Sequence, residues 1–223
     1  MAVITISRQF GSGGDEVAAR VCEMMTYRYF DKRLMAQVAA EVGLSEDEIV
    51  DFSEDTYKVQ GFLDRLLGRR RAARVAAQEH GLPVKVEAGQ VKEAEKIDDT
   101  YSLNLTQSTV YAAYQRGNVV IVGRGGQALL KDKEDVLHVR IEAPYGDRVR
   151  RLRDRENYSP GGAKDMAVKH DRASAEYLKR FYDIDWADSS LYDLIINTAK
   201  FGPKAAASLV VSALGVIGPG EES

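Results

Sequence analysis

The sequence predicts an α/β fold in three layers, α/β/α, with a five-stranded, mostly parallel sheet between helices. Three observations carry that expectation. Five short apolar or β-branched runs alternate with helical patterns along the chain, the order that builds parallel sheets with both faces covered. A glycine-rich turn, Gly11-Ser12-Gly13-Gly14, joins the first run to the first helix. A helix crowded with arginine follows the fourth run.

The elements follow in order. Val3–Ile6 is a continuous apolar or β-branched run, as a strand buried on both faces requires. Asp15 to Met25 has helical spacing, with Val17, Ala18, Val21, Met24 and Met25 on one side. Cys22 lies at apolar spacing in that helix and reads as core. Tyr27–Phe30 is a second strand ending at Asp31. Lys32 to Val42 reads as a helix stopped by Gly43, and Ser45-Glu46-Asp47-Glu48 has the form of a capping box that opens another.

Residues 53–100 break the alternation. Gly68 to Arg74 is strongly basic, Gly81-Leu82-Pro83 interrupts the chain, and Val84 to Asp99 is highly charged. Helices and loops outside the main sheet are expected there. The basic run suits a solvated helix face, or a patch facing phosphate or another subunit.

Leu103 to Arg116 returns to helical spacing and Gly117 ends it. Asn118–Val122 is the third strand, followed by Gly123-Arg124-Gly125-Gly126, and Val136–Ile141 is the fourth. Helices are expected over Gly146–Glu156 and Lys164–Tyr182, a last strand within Tyr192–Thr198, and a closing helix over Pro203–Leu214. Tyr177, Phe181, Tyr182 and Trp186 read as packing aromatics ahead of base-stacking ones.

A chain of 223 residues is long enough for one domain with a sizeable core. Its net charge of −3 gives no global attraction to nucleic acid or to an anionic membrane. One cysteine cannot form an internal disulfide. The most apolar stretch, Ala205 to Gly218, is too short to span a bilayer. With no charged-then-apolar leader before the first strand, a cytoplasmic location is expected.

A strand, a tight glycine turn and a helix N-terminus together make an anion site. The first amides of the helix lack intrahelical partners, and its dipole favours negative charge there. Gly11, Ser12, Gly13, Gly14 and Asp15 occupy that position. The usual phosphate loop reads G-x-x-x-x-G-K-[ST]. With its second glycine on Gly13, Arg8 stands at the first glycine, Gly14 at the lysine and Asp15 at the hydroxyl residue. The dinucleotide pattern G-x-G-x-x-G accepts Gly11 and Gly13 but meets Glu16 at its third glycine. A turn that binds nothing would satisfy the same residues.

Ligands of open parallel sheets bind beyond the carboxyl ends of the strands. Those ends also offer Asp31, Lys32 and Arg124, and a guanidinium fork suits phosphate. Arg148, Arg150, Arg151, Arg153 and Arg155 crowd one helix, and Arg172 follows on the next. Helical spacing puts Arg148, Arg151 and Arg155 on one face. Phosphoryl transfer works mainly by positioning and charge neutralisation, which an arginine-bearing lid supplies as it closes. A charged surface helix is the plainer reading of the same residues.

Ile4-Thr5-Ile6-Ser7-Arg8-Gln9-Phe10-Gly11-Ser12-Gly13-Gly14 resembles the opening of the cytidylate kinase-like family, a branch of the P-loop nucleoside monophosphate kinases. Further matches in family order are Tyr29-Phe30-Asp31-Lys32, Ile121 to Gly125, Ala143-Pro144 with Asp147-Arg148-Val149, Asp171-Arg172, Trp186, and Tyr192 to Thr198. The resemblance implies a single P-loop kinase-like domain over 1–223: core 1–52, 101–145 and 190–218, a helical monophosphate-binding insertion at about 53–100, and a lid at about 146–186. It implies transfer of the γ-phosphoryl group of ATP, with Mg²⁺, to a nucleoside monophosphate, CMP or dCMP first. Arg8, Arg148, Arg151 and Arg172 are then the candidate catalytic cations. Gly11, Ser12, Gly13, Gly14 and Asp15 form the ATP-phosphate loop, Asp15 is the candidate Mg²⁺ ligand, and Asp31, Lys32 and Arg124 bind the acceptor. The partners expected are ATP and the monophosphate, without nucleic acid or membrane, and with homo-oligomers left open.

The departures are specific. Well-studied cytidylate kinases keep a lysine where this chain has Gly14, although this branch commonly has glycine there, and a lid arginine is common in the family where this chain has Ser174. The missing lysine favours an alternative, a regulatory module of the same fold that binds nucleotide without efficient transfer. A dinucleotide-binding protein is a third reading, which Glu16 and the arginine helix oppose.

Overall fold

The computed structural model describes residues 2–30, 103–104, 106–156 and 158–217. Five strands lie within them: β1 (Val3–Arg8), β2 (Arg28–Phe30), β3 (Val119–Val122), β4 (Val136–Glu142) and β5 (Leu194–Asn197). The helices are α1 (Gly14–Met25), α2 (106–116), α3 (Gly126–Leu129), α4 (Tyr145–Glu156), α5 (Pro160–Tyr182) and α6 (Thr198–Leu214). The sheet order is β2-β3-β1-β4-β5, and every pairing is parallel. β1 is therefore central, with Ile6 beside Val122 and Arg8 beside Ile141.

The alternation of side chains along the strands builds both layers. Ile4, Ile6, Val120, Leu137 and Val139 meet Val17, Ala18 and Val21 of α1 and Ala206, Ala207 and Val210 of α6. On the opposite face Val3, Phe30, Val119 and Ile121 meet Val110 and Ala113 of α2 and Leu130 beyond α3. α4 and α5 pack on one another through Val149, Leu152, Ala163 and Ala167, with Phe10 at the edge of the cluster.

Several bounds differ from those the sequence suggests, each for a local reason. β1 runs to Arg8 because its ladder with β4 continues that far. α5 opens at Pro160, since Ser159 caps it by accepting the Gly162 amide and proline suits a first helical position. α6 opens at Thr198, where the Asn197 side chain accepts the Ala199 amide. It then kinks at Gly202 (φ 68, ψ 163) before Pro203. The apolar side of α1 is narrower than expected: Met24 is 52% exposed. Cys22 is buried, and burial pushes its thiol up to about 11, so it is a packing residue held as the thiol.

Residues 146–186, the expected lid, form most of α4, all of α5 and the chain to Trp186. The helix expected over 32–42, the capping box at 45–48 and the insertion at 53–100 lie outside the described residues. Among the described residues no helix is long and apolar enough to cross a membrane.

Candidate phosphate-binding site

The site is built at the carboxyl end of the central strand. Gly11 (φ 76) and Gly13 (φ 83) take left-handed conformations that let the chain turn back into α1. The turn is tied down on the β4 side, where the Gln9 amide donates to Ile141 O at 3.0 Å and Gln9 Oε1 accepts the Ala143 amide at 3.1 Å. α1 opens on Gly13 with no side-chain cap, and its first intrahelical bond runs from the Val17 amide to Gly13 O. The amides of Gly14, Asp15 and Glu16 consequently have no partner among the described residues, the arrangement that binds anions. Ser12 Oγ and Arg148 Nε are buried beside this turn, also without a hydrogen-bond partner among the described residues.

The space a side chain on residue 14 would enter is taken by Arg8. A Cβ on Gly14 would lie 2.4 Å from Arg8 Cβ and 2.7 Å from Arg8 Cγ. The arginine stem thus runs across the first residue of α1, and Arg8 Nε donates to Asp15 Oδ1 at 3.0 Å. The Tyr29 hydroxyl donates to the same oxygen at 3.4 Å. Burial, then the Asp15 charge, raises the Tyr29 pKa, so it stays a donor. The Asp15 carboxylate itself is 66% exposed.

The face that Arg148, Arg151 and Arg155 share meets the loop and the start of α1, and two of these cations hold main-chain oxygens. Arg148 is buried; its Nη1 donates to Asp171 Oδ2 at 2.6 Å and to Phe10 O at 3.2 Å. Arg151 Nη1 donates to Ser12 O at 2.7 Å and Thr198 Oγ1 at 2.9 Å, and its Nη2 donates to Thr198 O at 2.8 Å. Arg155 pairs with Glu16, which Arg20 also holds at 2.9 Å. Burial alone would raise the Glu16 pKa, but these two guanidinium groups outweigh it and lower it. Arg172 is 77% exposed on α5 and donates to Glu176 at 2.6 Å.

Beyond β3 lies a second glycine turn. Gly123, Arg124 and Gly125 all have positive φ. The Gly126 amide donates to Gly123 O at 3.1 Å, and the Ala128 and Leu129 amides donate to Gly125 O at 2.9 Å. The Tyr182 ring lies on Gly125, where a Cβ would come within 2.6 Å of Cε2. Asp31 and Lys32 lie outside the described residues.

Sequence reasoning missed Arg140, 4% exposed on β4. Its Nε donates to Glu142 at 2.5 Å and its Nη1 to Trp186 O, with the guanidinium 4.5 Å from the Trp186 ring centre. Trp186 Nε1 donates to Ser7 Oγ at 2.7 Å, and the Tyr192 hydroxyl donates to Trp186 O at 3.0 Å. This box fastens the chain after α5 to the sheet, one residue before Arg8. The available signal was an arginine inside a mainly apolar strand.

A parallel sheet of this order, with a glycine loop between its central strand and first helix, defines a P-loop kinase-type α/β protein. The profile of the cytidylate kinase-like family matches residues 3–200, and the chain belongs to that family. Its relatives include a cytidylate kinase of Pyrococcus horikoshii, 25% identical over 97% of this chain and 90% of that protein. A cytidylate kinase of Haloquadratum walsbyi is 30% identical over 67% of this chain and 75% of that protein. With a cytidylate kinase of Halobacterium salinarum the match is 28% over 44% of this chain, and spans about half of that relative, 51%. Among solved structures, an uncharacterized protein from Eubacterium ventriosum superposes with a TM-score of 0.63 at 19% identity, over 97% of this chain and 99% of that one. That likeness concerns the fold. The family model and the cytidylate kinases it matches support a nucleotide kinase.

Proposed function

We propose that this protein transfers the γ-phosphoryl group of ATP to a nucleoside monophosphate, with CMP or dCMP the first candidates. The observation that carries the reading is the set of unpartnered amides at Gly14, Asp15 and Glu16, beside Arg8 at the end of the central strand. In a cytidylate kinase-like chain that cradle suits the β- and γ-phosphates of the donor. An oxygen of the acceptor's phosphate attacks the γ-phosphorus, ADP leaves, and a nucleoside diphosphate is formed. The barrier is lowered by holding donor and acceptor in line and neutralising the charge on the transferred group.

Arg8 supplies the cation that the lysine gives elsewhere, because its stem occupies the lysine's starting point. Arg148 and Arg151 keep the loop's carbonyls turned away from the phosphates. Arg172 exchanges Glu176 for a phosphate oxygen when the lid segment, 146–186, meets substrate. Arg124, with Asp31 and Lys32, receives the acceptor. An exposed carboxylate is a hard oxygen donor of the kind Mg²⁺ takes beside phosphates, and with Asp15 Oδ1 held by Arg8 and Tyr29 its Oδ2 would be the ligand. Asp15 is the residue that would hold it, and the ion would add to charge neutralisation.

The test is ADP release with ATP and Mg²⁺ against a panel of nucleoside monophosphates, alongside calorimetric binding of each. Arg8→Ala is expected to weaken ATP binding by about tenfold or more, and Arg124→Ala to weaken the acceptor alone, as loss of charge-assisted bonds does. If neither variant changes nucleotide affinity, both roles fall. Binding without turnover on any acceptor would select the regulatory module, the reading favoured by the absence of a lysine at Gly14.

A further inference from the structure

We infer that Asp171, on α5, is a positioning residue for the phosphate loop; the inference rests on the binding of ATP proposed above. Its two carboxylate oxygens serve two loop contacts. Oδ1 accepts the Phe10 amide at 2.9 Å, and Oδ2 accepts Arg148 Nη1 at 2.6 Å. The same Nη1 donates to Phe10 O at 3.2 Å. Both main-chain polar groups of Phe10 are therefore held, the N–H by the carboxylate and the C=O by the guanidinium that the carboxylate orients. The neighbouring His170 adds a third contact, its ring stacked on Phe10 with centroids 4.0 Å apart and planes 8° from parallel.

Phe10 directly precedes Gly11, where the left-handed turn begins. Fixing its main chain fixes the direction from which the loop enters α1. The Phe10 amide is not among the unpartnered amides at Gly14, Asp15 and Glu16, so the carboxylate does not compete with phosphate for them. Its charge would oppose an anion nearby, and Arg148, itself buried, compensates that charge at contact distance. The grip comes entirely from α5 and α4, outside the sheet. Docking of these helices and the hold on Phe10 are thus coupled: Phe10 is clasped when α5 is seated and released when α5 lifts, while Gln9 keeps its bonds to β4.

The experiment compares Asp171→Ala and Asp171→Asn in the full chain. Four quantities are read: calorimetric affinity for ATP with Mg²⁺, amide exchange at Phe10 without nucleotide, the KM values for both substrates, and Tm. Asp171→Ala is expected to raise the Kd for ATP by about tenfold and to speed exchange at Phe10. The acceptor KM should change far less. Asp171→Asn keeps an oxygen for the Phe10 amide, so it should recover most of the exchange protection and part of the affinity. Wild-type ATP affinity in the alanine variant would overturn the inference. So would a loss of Tm and of both affinities in step in the two variants, which marks simple destabilisation. Should the unmodified protein bind no ATP, the proposed function fails, while unchanged Phe10 exchange in Asp171→Ala is the separate failure of the clasp.

Discussion

Two glycine turns sit at the carboxyl ends of neighbouring parallel strands, one after β1 and one after β3, and they differ in what their amides do. Both place glycines at positive φ, and both lead into a helix. After β1 the helix runs twelve residues from Gly14, its first three amides unpartnered among the described residues. After β3 the helix is four residues long, and the amides of Gly126, Ala128 and Leu129 close back on Gly123 and Gly125. The first turn is braced from outside by Arg148, Arg151 and Asp171 acting on its main chain. The second is covered by the flat ring of Tyr182. Glycine content therefore marks where a chain can turn, whereas unconsumed donors and external bracing mark where it can hold an anion.

The comparison can be broken most severely at Gly14. In Gly14→Lys the new Cβ collides with the Arg8 stem, and overpacking of about 1–3 kcal/mol falls on the cradle itself. ATP affinity measured by calorimetry should drop by about a hundredfold. Arg8→Gly combined with Gly14→Lys should restore a lysine-bearing loop and recover much of the loss. A double variant no better than the single one would refute the volume exchange.

Gly125→Ala attacks the other turn. Its Cβ meets the Tyr182 ring and a left-handed φ of 67, at a cost of about 1–3 kcal/mol. A lower Tm and a raised acceptor KM are expected with ATP affinity nearly unchanged; equal damage to both substrates would erase the distinction between the turns.

Thr198→Val is a milder change. The Thr198 hydroxyl donates to Ser12 O while accepting from Arg151, so its loss should cost about 1 kcal/mol and fall on ATP rather than on the acceptor. Isothermal titration of each nucleotide would separate the two.

The smallest effect is a pH dependence beneath the second turn. His138 Nε2 bonds Leu130 O at 3.2 Å and Nδ1 faces Thr5 Oγ1 at 2.7 Å. The carbonyl can only accept, so Nε2 carries the proton and the neutral ring accepts the Thr5 hydroxyl at Nδ1. Burial lowers the His138 pKa from 6.5, and the nearby Asp193 opposes that only in part. Below about pH 6.5 the unfolded chain takes up a proton that the folded ring resists, so stability falls as pH drops. Tm followed from pH 7.5 to 5 should decline, and the decline should flatten in His138→Gln.

Much of the frame was legible because the inner strands β1, β3 and β4 are buried on both faces and so read as largely apolar runs. Val3–Ile6 and Val119–Val122 needed no tertiary information. α3 escaped notice because four residues after a glycine turn carry no period. Met24 was placed on the wrong side because helical spacing defines a direction but not how wide a buried face its neighbours leave. The site was legible as far as geometry is local: the spacing of Arg148 and Arg151 puts both on one face of the helix. Their partners, Phe10 O and Ser12 O, could not be read, since a main-chain oxygen leaves no mark in the residue pattern. Arg140 was hidden for a similar reason, because its acceptor Trp186 O lies 46 positions along the chain.

The packing of the Arg8 stem on Gly14 bears on ancestry as well as chemistry. Two side chains cannot share one volume, so positions 8 and 14 do not change freely in separate steps. A lineage passing from a side chain at 14 to this pairing must either shrink residue 14 before an arginine arrives at 8 or change both together. Descendants on either side of that step should show a reciprocal signature: a small residue at 8 wherever 14 bears a side chain, and glycine at 14 wherever 8 is large.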